Sequence, residues 1–252
     1  MKIHDRIYLV GSGSQGFSMT DDSDCHIYLI DGGGEMALVD TGSGHSVPQI
    51  LQNIRNEGLD PKRVQHLLLT HAHVDHAGGA ARMREALAGV RVYMHADCAP
   101  FLRNGDERAV SLADAKRAGL YPEHYTFNSC EVDCELREGQ VLTVGDLQVE
   151  CIETPGHSRG HVAYVIQCNG SKILFGGDLV FFGGRILLQN TWDCDFQAHI
   201  NSLKKLREAR IDMLLPGHLT FSLRDGQRHI DAALKFIDGL LVPPNFSYSW
   251  RT

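Results

Sequence analysis

The chain has 252 residues, 43% of them apolar and 22% charged, and carries a formal net charge of -7. That length supports one large domain or two small ones around a substantial core, and the composition excludes a disordered chain. The acidic balance excludes a broad phosphate-binding face, so nucleic acid is not an expected partner.

Short apolar runs alternate with amphipathic ones along the chain. "RIYLV" (6–10), "CHIYLI" (25–30) and "MALVD" (36–40) read as strands separated by Gly-rich turns. "SVPQILQNIRNEG" (46–58) sets Ile50, Leu51 and Ile54 on one face, with Pro48 near its start and Gly58 at its end, which predicts an amphipathic helix. "VQHLLLT" (64–70) predicts a buried strand, "HAGGAARMREALAG" (76–89) a helix and "VRVYMH" (90–95) a further strand. Residues 96–138 break this rhythm. They are polar and helix-leaning, with "SLADAKRAG" as the clearest helix, and predict a helical insertion or lid on a single domain spanning 1–252. Strands resume at "QVLTVG", "LQVECIE", "HVAYVIQC" and "KILFGG", and the helices 196–209 and 226–241 flank a last strand, "DMLLPGH". Two stacked sheets with helices outside satisfy that order, an α/β arrangement.

The seven cysteines are odd in number and scattered, and no apolar run approaches the ~18 residues of a membrane span. A reduced, cytoplasmic protein without a membrane partner is expected. Cys130 and Cys134 stand four apart, but no second Cys/His pair follows at zinc-ribbon spacing. Neither "GSGSQG" nor "DGGGE" fits a phosphate loop.

The stretch "LLLTHAHVDHAGG" (67–79) places His71, His73, Asp75 and His76 directly behind the buried strand. In an extended loop, alternate residues point the same way, so His71 and His73 can close on one ion while Asp75 and His76 turn toward a second. Three more ligand-type residues follow strand ends: His157 after a Pro-Gly turn, Asp178 after two glycines, and His218 after another Pro-Gly. Imidazole and carboxylate donors suit zinc, iron or manganese better than magnesium or calcium. Two such ions about 3.5–4 Å apart can hold a hydroxide between them and polarise a carbonyl. His161 reads as structural or as a support to the ligands, and His26, His66, His95 and His199 as surface or helix-terminal residues.

The motif HxHxDH (His71, His73, Asp75, His76) with His157, Asp178 and His218 in that order resembles the metallo-β-lactamase superfamily, in its glyoxalase II-like and lactonase-like branch. The resemblance covers nearly the whole chain and implies an αββα four-layer sandwich with metals at one edge of the two sheets. It implies that His71, His73 and His157 hold a first ion, that Asp75, His76 and His218 hold a second, and that Asp178 bridges. Asp75 and Asp178 are then the catalytic carboxylates, and Asp40 of "VDTG" braces the metal loops. The loop 11–24, with Phe17 and Met19 at its apex, corresponds to a hairpin that overhangs the metals. Several branches fit less well. The flavodiiron branch has glutamate at the place of His73, the persulfide dioxygenase stretch is absent, and lactonases carry tyrosine where this chain has Phe181. The glutathione-binding C-terminal helices of glyoxalase II and the RNA-binding arm of the tRNA-processing branch are not expected.

The reading is therefore a dinuclear metal hydrolase that cleaves a small-molecule thioester, lactone or ester with a metal-bridging hydroxide, zinc being the first candidate metal. Phe17, Met19, Phe181, Phe182 and Trp192 are expected to line the substrate pocket, with Arg159 or Arg185 facing a substrate carboxylate. The alternative is an iron-dependent redox enzyme or a non-catalytic ligand sensor on the same fold. Either a monomer or a homodimer accommodates these features.

Overall fold

The computed structural model describes residues 1–246. Among the described residues, twelve strands form two sheets. The first contains β1 (Lys2–His4), β2 (Ile7–Gly11), β3 (Ile27–Asp31), β4 (Met36–Val39), β5 (Val64–Leu68), β6 (Arg91–His95) and β7 (Cys134–Leu136), in that spatial order. Its first four strands are antiparallel and β4 to β7 are parallel. The second contains β8 (Val141–Val144), β9 (Leu147–Glu153), β10 (Val162–Cys168), β11 (Ser171–Gly177) and β12 (Met213–Pro216), with only β11 and β12 parallel.

Three apolar layers account for the stacking. Ile7, Leu9, Val39, Val149, Tyr164 and Phe175 fill the space between the sheets. Leu29, Leu38 and Leu67 face the other way from the first sheet onto α1 (Val47–Asn56) and α3 (Ala80–Ala86). Val165 and Leu174 face outward from the second sheet onto α6 (Phe196–Lys205) and α7 (Gln227–Asp238). Strands buried on both faces must be apolar throughout, which is why β2 and β4 read as continuous apolar runs. In α1 the buried Val47, Ile50, Leu51 and Ile54 recur at helical spacing, as do Ile230, Ala233, Leu234 and Ile237 in α7. The αββα sandwich expected from the sequence is the fold observed.

Phe175 sits at the centre of the inter-sheet layer, fully buried, with its ring 5.6 Å from that of Tyr28. Truncating it leaves a cavity that neighbouring strands cannot collapse to fill. Phe175→Ala should therefore cost about 3–5 kcal/mol of stability, measurable by urea denaturation at equilibrium.

The helix expected over 76–89 is divided. A single turn, α2 (Val74–Ala77), is followed by α3 after Gly78 and Gly79. A Cβ on Gly79 would lie 2.2 Å from the Thr41 carbonyl oxygen, so glycine here lets the loop after β4 close against the ligand loop. Residues 96–138 form α4 (Ala99–Asn104), α5 (Leu112–Arg117) and β7, and they bury Leu102, Leu112, Tyr125 and Phe127 in the first core. The Tyr125 hydroxyl donates to the Ser43 carbonyl at 2.6 Å. Among the described residues, no helix is long and apolar enough to cross a membrane, and all seven cysteines are free.

Candidate metal centre

Strand direction gathers the ligands. β9, β11 and β12 run the same way, as do β4 and β5, so the loops that follow them meet at one edge of the sandwich. After β5 the chain bends at Thr70 and runs through His71 to an extended His73. His73 is the N-cap of α2, whose single turn carries Asp75 and His76. His157 follows β9, Asp178 follows β11 and His218 follows β12.

These side chains converge in three overlapping groups. Ligating atoms of His71, His73 and His157 lie within 4.8 Å of one another, as do those of Asp75, His76 and His218, and those of His71, His76 and Asp178. His157 Nε2 is 3.0 Å from His73 Nδ1, and His76 Nε2 is 3.3 Å from His218 Nε2. Asp178 reaches both sides: its oxygens are 3.4 Å from His76 Nε2, 3.5 Å from His157 Nε2 and 3.5 Å from His218 Nε2. Asp75 Oδ2 is 3.1 Å from His218 Nε2.

A further ring of hydrogen bonds fixes which atoms face inward. Asp40 has φ +61° at the end of β4. Its carboxylate accepts from the Thr70 N–H at 2.8 Å and lies 2.8 Å from His76 Nδ1. That contact places the proton of His76 on Nδ1 and turns Nε2 toward the ligand cluster. His157 Nδ1 donates to the Leu187 carbonyl at 3.0 Å with the same effect. His161 is fully buried; its Nε2 accepts the backbone N–H of Asp178 at 3.1 Å, and its Nδ1 bonds Thr154 Oγ1 at 2.8 Å. His199 Nε2 donates to the Leu179 carbonyl at 2.7 Å, holding the same loop from the helix side.

The electrostatics divide the cluster. Burial, reinforced by the neighbouring imidazoles, holds His71 well below the ordinary histidine range. Burial likewise lowers His157 to about 4. Burial opposes charge on His218 too, but Asp178 and Asp75 outweigh it and raise that pKa to about 9. His76 is also raised, against its burial, by Cys25 and the carboxylates Asp178, Asp75 and Asp40. Burial would push Asp75 up, yet His76 and His218 hold it down at about 2.

The cluster is fitted to cations. His71 Nε2 and Asp178 Oδ1 are buried without a hydrogen-bond partner, and native interiors rarely leave such atoms unsatisfied. The ring of His71 packs 4.6 Å from that of His73 and 4.1 Å from that of His76, a crowding of imidazoles that a shared cation stabilises. Nitrogen and carboxylate donors of this kind suit a divalent transition metal.

A cavity of about 720 Å³ opens above the cluster, with His73, Asp75, Asp178 and His218 in its floor. Its walls come from Ser14, Gln15 and residues 21–24, from positions within 110–122, and from 187–191. None of the pocket residues expected from the sequence lies on those walls, which corrects that expectation. Phe17 folds back onto His26 and Phe221, and Met19 packs toward the inter-sheet core. Phe181 is fully buried, 6.3 Å from the His218 ring, and Phe182 stacks on His229 at the surface. Trp192 and Arg159 border a separate surface depression, and Arg185 is exposed away from the cavity. His26, His66, His95 and His199 are buried rather than on the surface, because each finds a polar partner inside, such as Ser12, Glu35, Glu153 and the Leu179 carbonyl; His199 does lie in the first turn of α6.

The family model for the metallo-β-lactamase superfamily matches residues 20–218. The chain is 29% identical over 226 residues to the acyl-coenzyme A thioesterase MBLAC2 of Gallus gallus, covering 84% of this chain and 78% of that one. It is 28% identical over 219 residues to the hydroxyacylglutathione hydrolase of Rhodopseudomonas palustris (strain BisB18), covering 86% of this chain and 67% of that one. Among solved structures, BJP-1, a subclass B3 metallo-β-lactamase of Bradyrhizobium japonicum, superposes with a TM-score of 0.72 at 22% identity, over 95% of this chain and 91% of that one. At that identity the structural likeness speaks for the fold alone. With a family match over residues 20–218 and this His/Asp cluster at the sheet edge, the chain belongs to the metallo-β-lactamase superfamily and is a metal-dependent hydrolase.

Proposed function

We propose that the protein hydrolyses a small-molecule acyl thioester at a pair of divalent metal ions. The observation that carries this reading is the convergence of His71, His73, His157, Asp75, His76, His218 and Asp178 on the floor of one large cavity. His71, His73 and His157 would hold one ion, and Asp75, His76 and His218 the other, with Asp178 reaching both. When bound, such ions supply an acidified water at neutral pH and polarise an acyl carbonyl. In the net reaction, the water oxygen bonds to the acyl carbon and the C–S bond breaks with its electron pair leaving on sulfur. One proton passes to solvent, giving a carboxylate and a thiol.

A thioester makes smaller demands on the site than a lactone. A thiolate departs without a proton, whereas an alkoxide generally needs an acid to receive it. The names of the relatives agree: acyl-coenzyme A thioesterase, hydroxyacylglutathione hydrolase and atrochrysone carboxyl ACP thioesterase all describe cleavage of thioesters. A panel of matched thioester, lactone, β-lactam and phosphodiester substrates, tested with protein loaded with zinc, iron or manganese, checks the reading. We expect kcat/KM for the thioester to exceed that for the lactone by about tenfold or more, equivalent to about 1.4 kcal/mol. A preference for the β-lactam or phosphodiester would overturn it.

A further inference from the structure

The cavity wall above the metal centre has a one-sided charge. Asp21, Asp22, Asp24 and Asp114 line it away from the floor, whereas His45 is the only basic side chain there and no lysine or arginine among the described residues contributes. Two nearby cations are directed elsewhere, and a third pairs with one wall residue. Lys116 pairs with Glu107, and Arg82 donates to the Gly44 carbonyl. Arg117 forms an ion pair with Asp114 on the exposed surface of α5.

Two further atoms on this wall point to a ligand. Ser111 is 7% exposed and Asp24 is 2% exposed, and both line the cavity. Ser111 Oγ and Asp24 Oδ2 are buried without a hydrogen-bond partner. The other oxygen of Asp24 is committed, accepting from the Ser43 N–H at 2.8 Å and the Ser43 hydroxyl at 2.7 Å. Burial pushes the Asp24 carboxyl upward, a cost that a positive group or a donor in the cavity would relieve. Val110, Leu120 and Leu187 supply an apolar counter-wall able to pack against alkyl groups.

We propose that this cavity selects acyl thioesters whose thiol half carries a cationic ammonium group, and discriminates against thiol halves rich in phosphate or carboxylate. This inference rests on the thioesterase reading above and names the substrate class for the same site. The acyl carbonyl faces the floor, and the thiol half extends along the acidic wall. Coenzyme A brings several phosphate charges to that wall and glutathione a net negative charge, with no cation lining it to receive either. An alkylammonium thiol meets the carboxylates of Asp21, Asp22 and Asp24 there, Asp114 being shared with Arg117, and places its methylene groups on the apolar side.

The test compares kcat/KM of the metal-loaded protein for four thioesters of one acyl group: the thiocholine, N-acetylcysteamine, glutathione and coenzyme A esters. The expected order is the order given, with the thiocholine ester at least about tenfold above the coenzyme A ester at low salt, because each close charge pair contributes a factor of several. The ratio should shrink at high salt. It should also shrink in Asp22→Asn/Asp114→Asn, whose two exposed positions make no contribution to the core. A coenzyme A ester preferred over the thiocholine ester, or a ratio unmoved by salt and by the variant, would overturn the inference while leaving thioester hydrolysis intact. If no thioester is turned over, the functional reading fails separately, and calorimetric titration with choline then decides the charge inference. Binding that weakens in the variant supports a cationic ligand, and absence of binding in wild type overturns it.

Discussion

Asp178→Asn should abolish turnover, by about a thousandfold or more in kcat, while leaving the fold intact. Asp178 is the side chain that lies within 3.5 Å of ligand nitrogens on both sides of the cluster, His157 on one and His76 and His218 on the other. Burial would raise its pKa, yet His218 and His76 hold the carboxyl well below its ordinary range, so it is ionised where it stands. Asparagine has the same shape and preserves the backbone N–H that His161 accepts. It cannot supply the charge that two cations would share, and the position of the water between them would be lost. Circular dichroism and the thermal midpoint should report a native fold, while elemental analysis should show reduced metal content. A folded, fully metal-loaded variant with near-normal kcat would sink the bridging role.

His161 and His199 explain why that substitution should be local. Gly177 has φ +48°, and a Cβ there would come within 2.6 Å of His161 Nε2 and 3.0 Å of Thr70 Cβ. The glycine is required for the backbone of Asp178 to pass between these two supports. His199, on α6, holds the following residue from the opposite side. The carboxylate therefore keeps its place through backbone contacts, independently of the charge it carries.

The ligand cluster was legible in the sequence for a physical reason. Every ligand follows a strand end, and strand ends carry strong local signals: an apolar run stops at a Gly, a Pro-Gly or the HxHxDH motif itself. The four layers were legible in the same way, because β2 and β4 are apolar on both faces while α1 and α7 are apolar on one. Other features depend on contacts distant in sequence. β7 is only three residues long and pairs with β6 across a 38-residue excursion, so no local pattern announces it. The cavity walls join residues near 20, 114 and 189, and proximity in sequence to a ligand does not identify them. Phe181 and Phe182 show this most plainly: adjacent to the Asp178 loop, they pack into the core and onto His229 instead of into the cavity. The burial of these histidines has no local signal, because their polar partners, such as Glu35 for His66 and Glu153 for His95, come from other strands or turns. Thr154 could have been found, since "TPGHSRGH" places it beside a strand end with two histidines, but its bond to His161 depends on how the turn folds back.

Metal removal should abolish activity, and reloading should show two ions with different pH dependence. His71 and His157 are held neutral by burial, His157 with a pKa of about 4, so neither need release a proton when an ion binds beside them above about pH 5. The opposite group holds its protons. His218 is raised to about 9 and His76 is raised as well, so an ion entering between Asp75, His76 and His218 must displace protons at neutral pH. Affinity for that second ion should rise about tenfold per pH unit for each proton displaced, levelling off only once the pH has passed the raised pKa values of both His218 and His76. The metal-free protein should behave in the opposite sense. For a histidine raised from 6.5 to about 9, the stabilisation is fully present below pH 6.5 and is lost as the pH climbs through about 9. The thermal midpoint of chelated protein should therefore fall between pH 6.5 and 9, while second-ion affinity and activity rise over the same interval. Calorimetric titration with zinc at pH 6, 7.5 and 9, beside melting curves of chelated protein, measures both limbs. Activity that survives verified metal removal, or a second ion bound equally well at all three pH values, would contradict the assignment of protons and ions to these two groups.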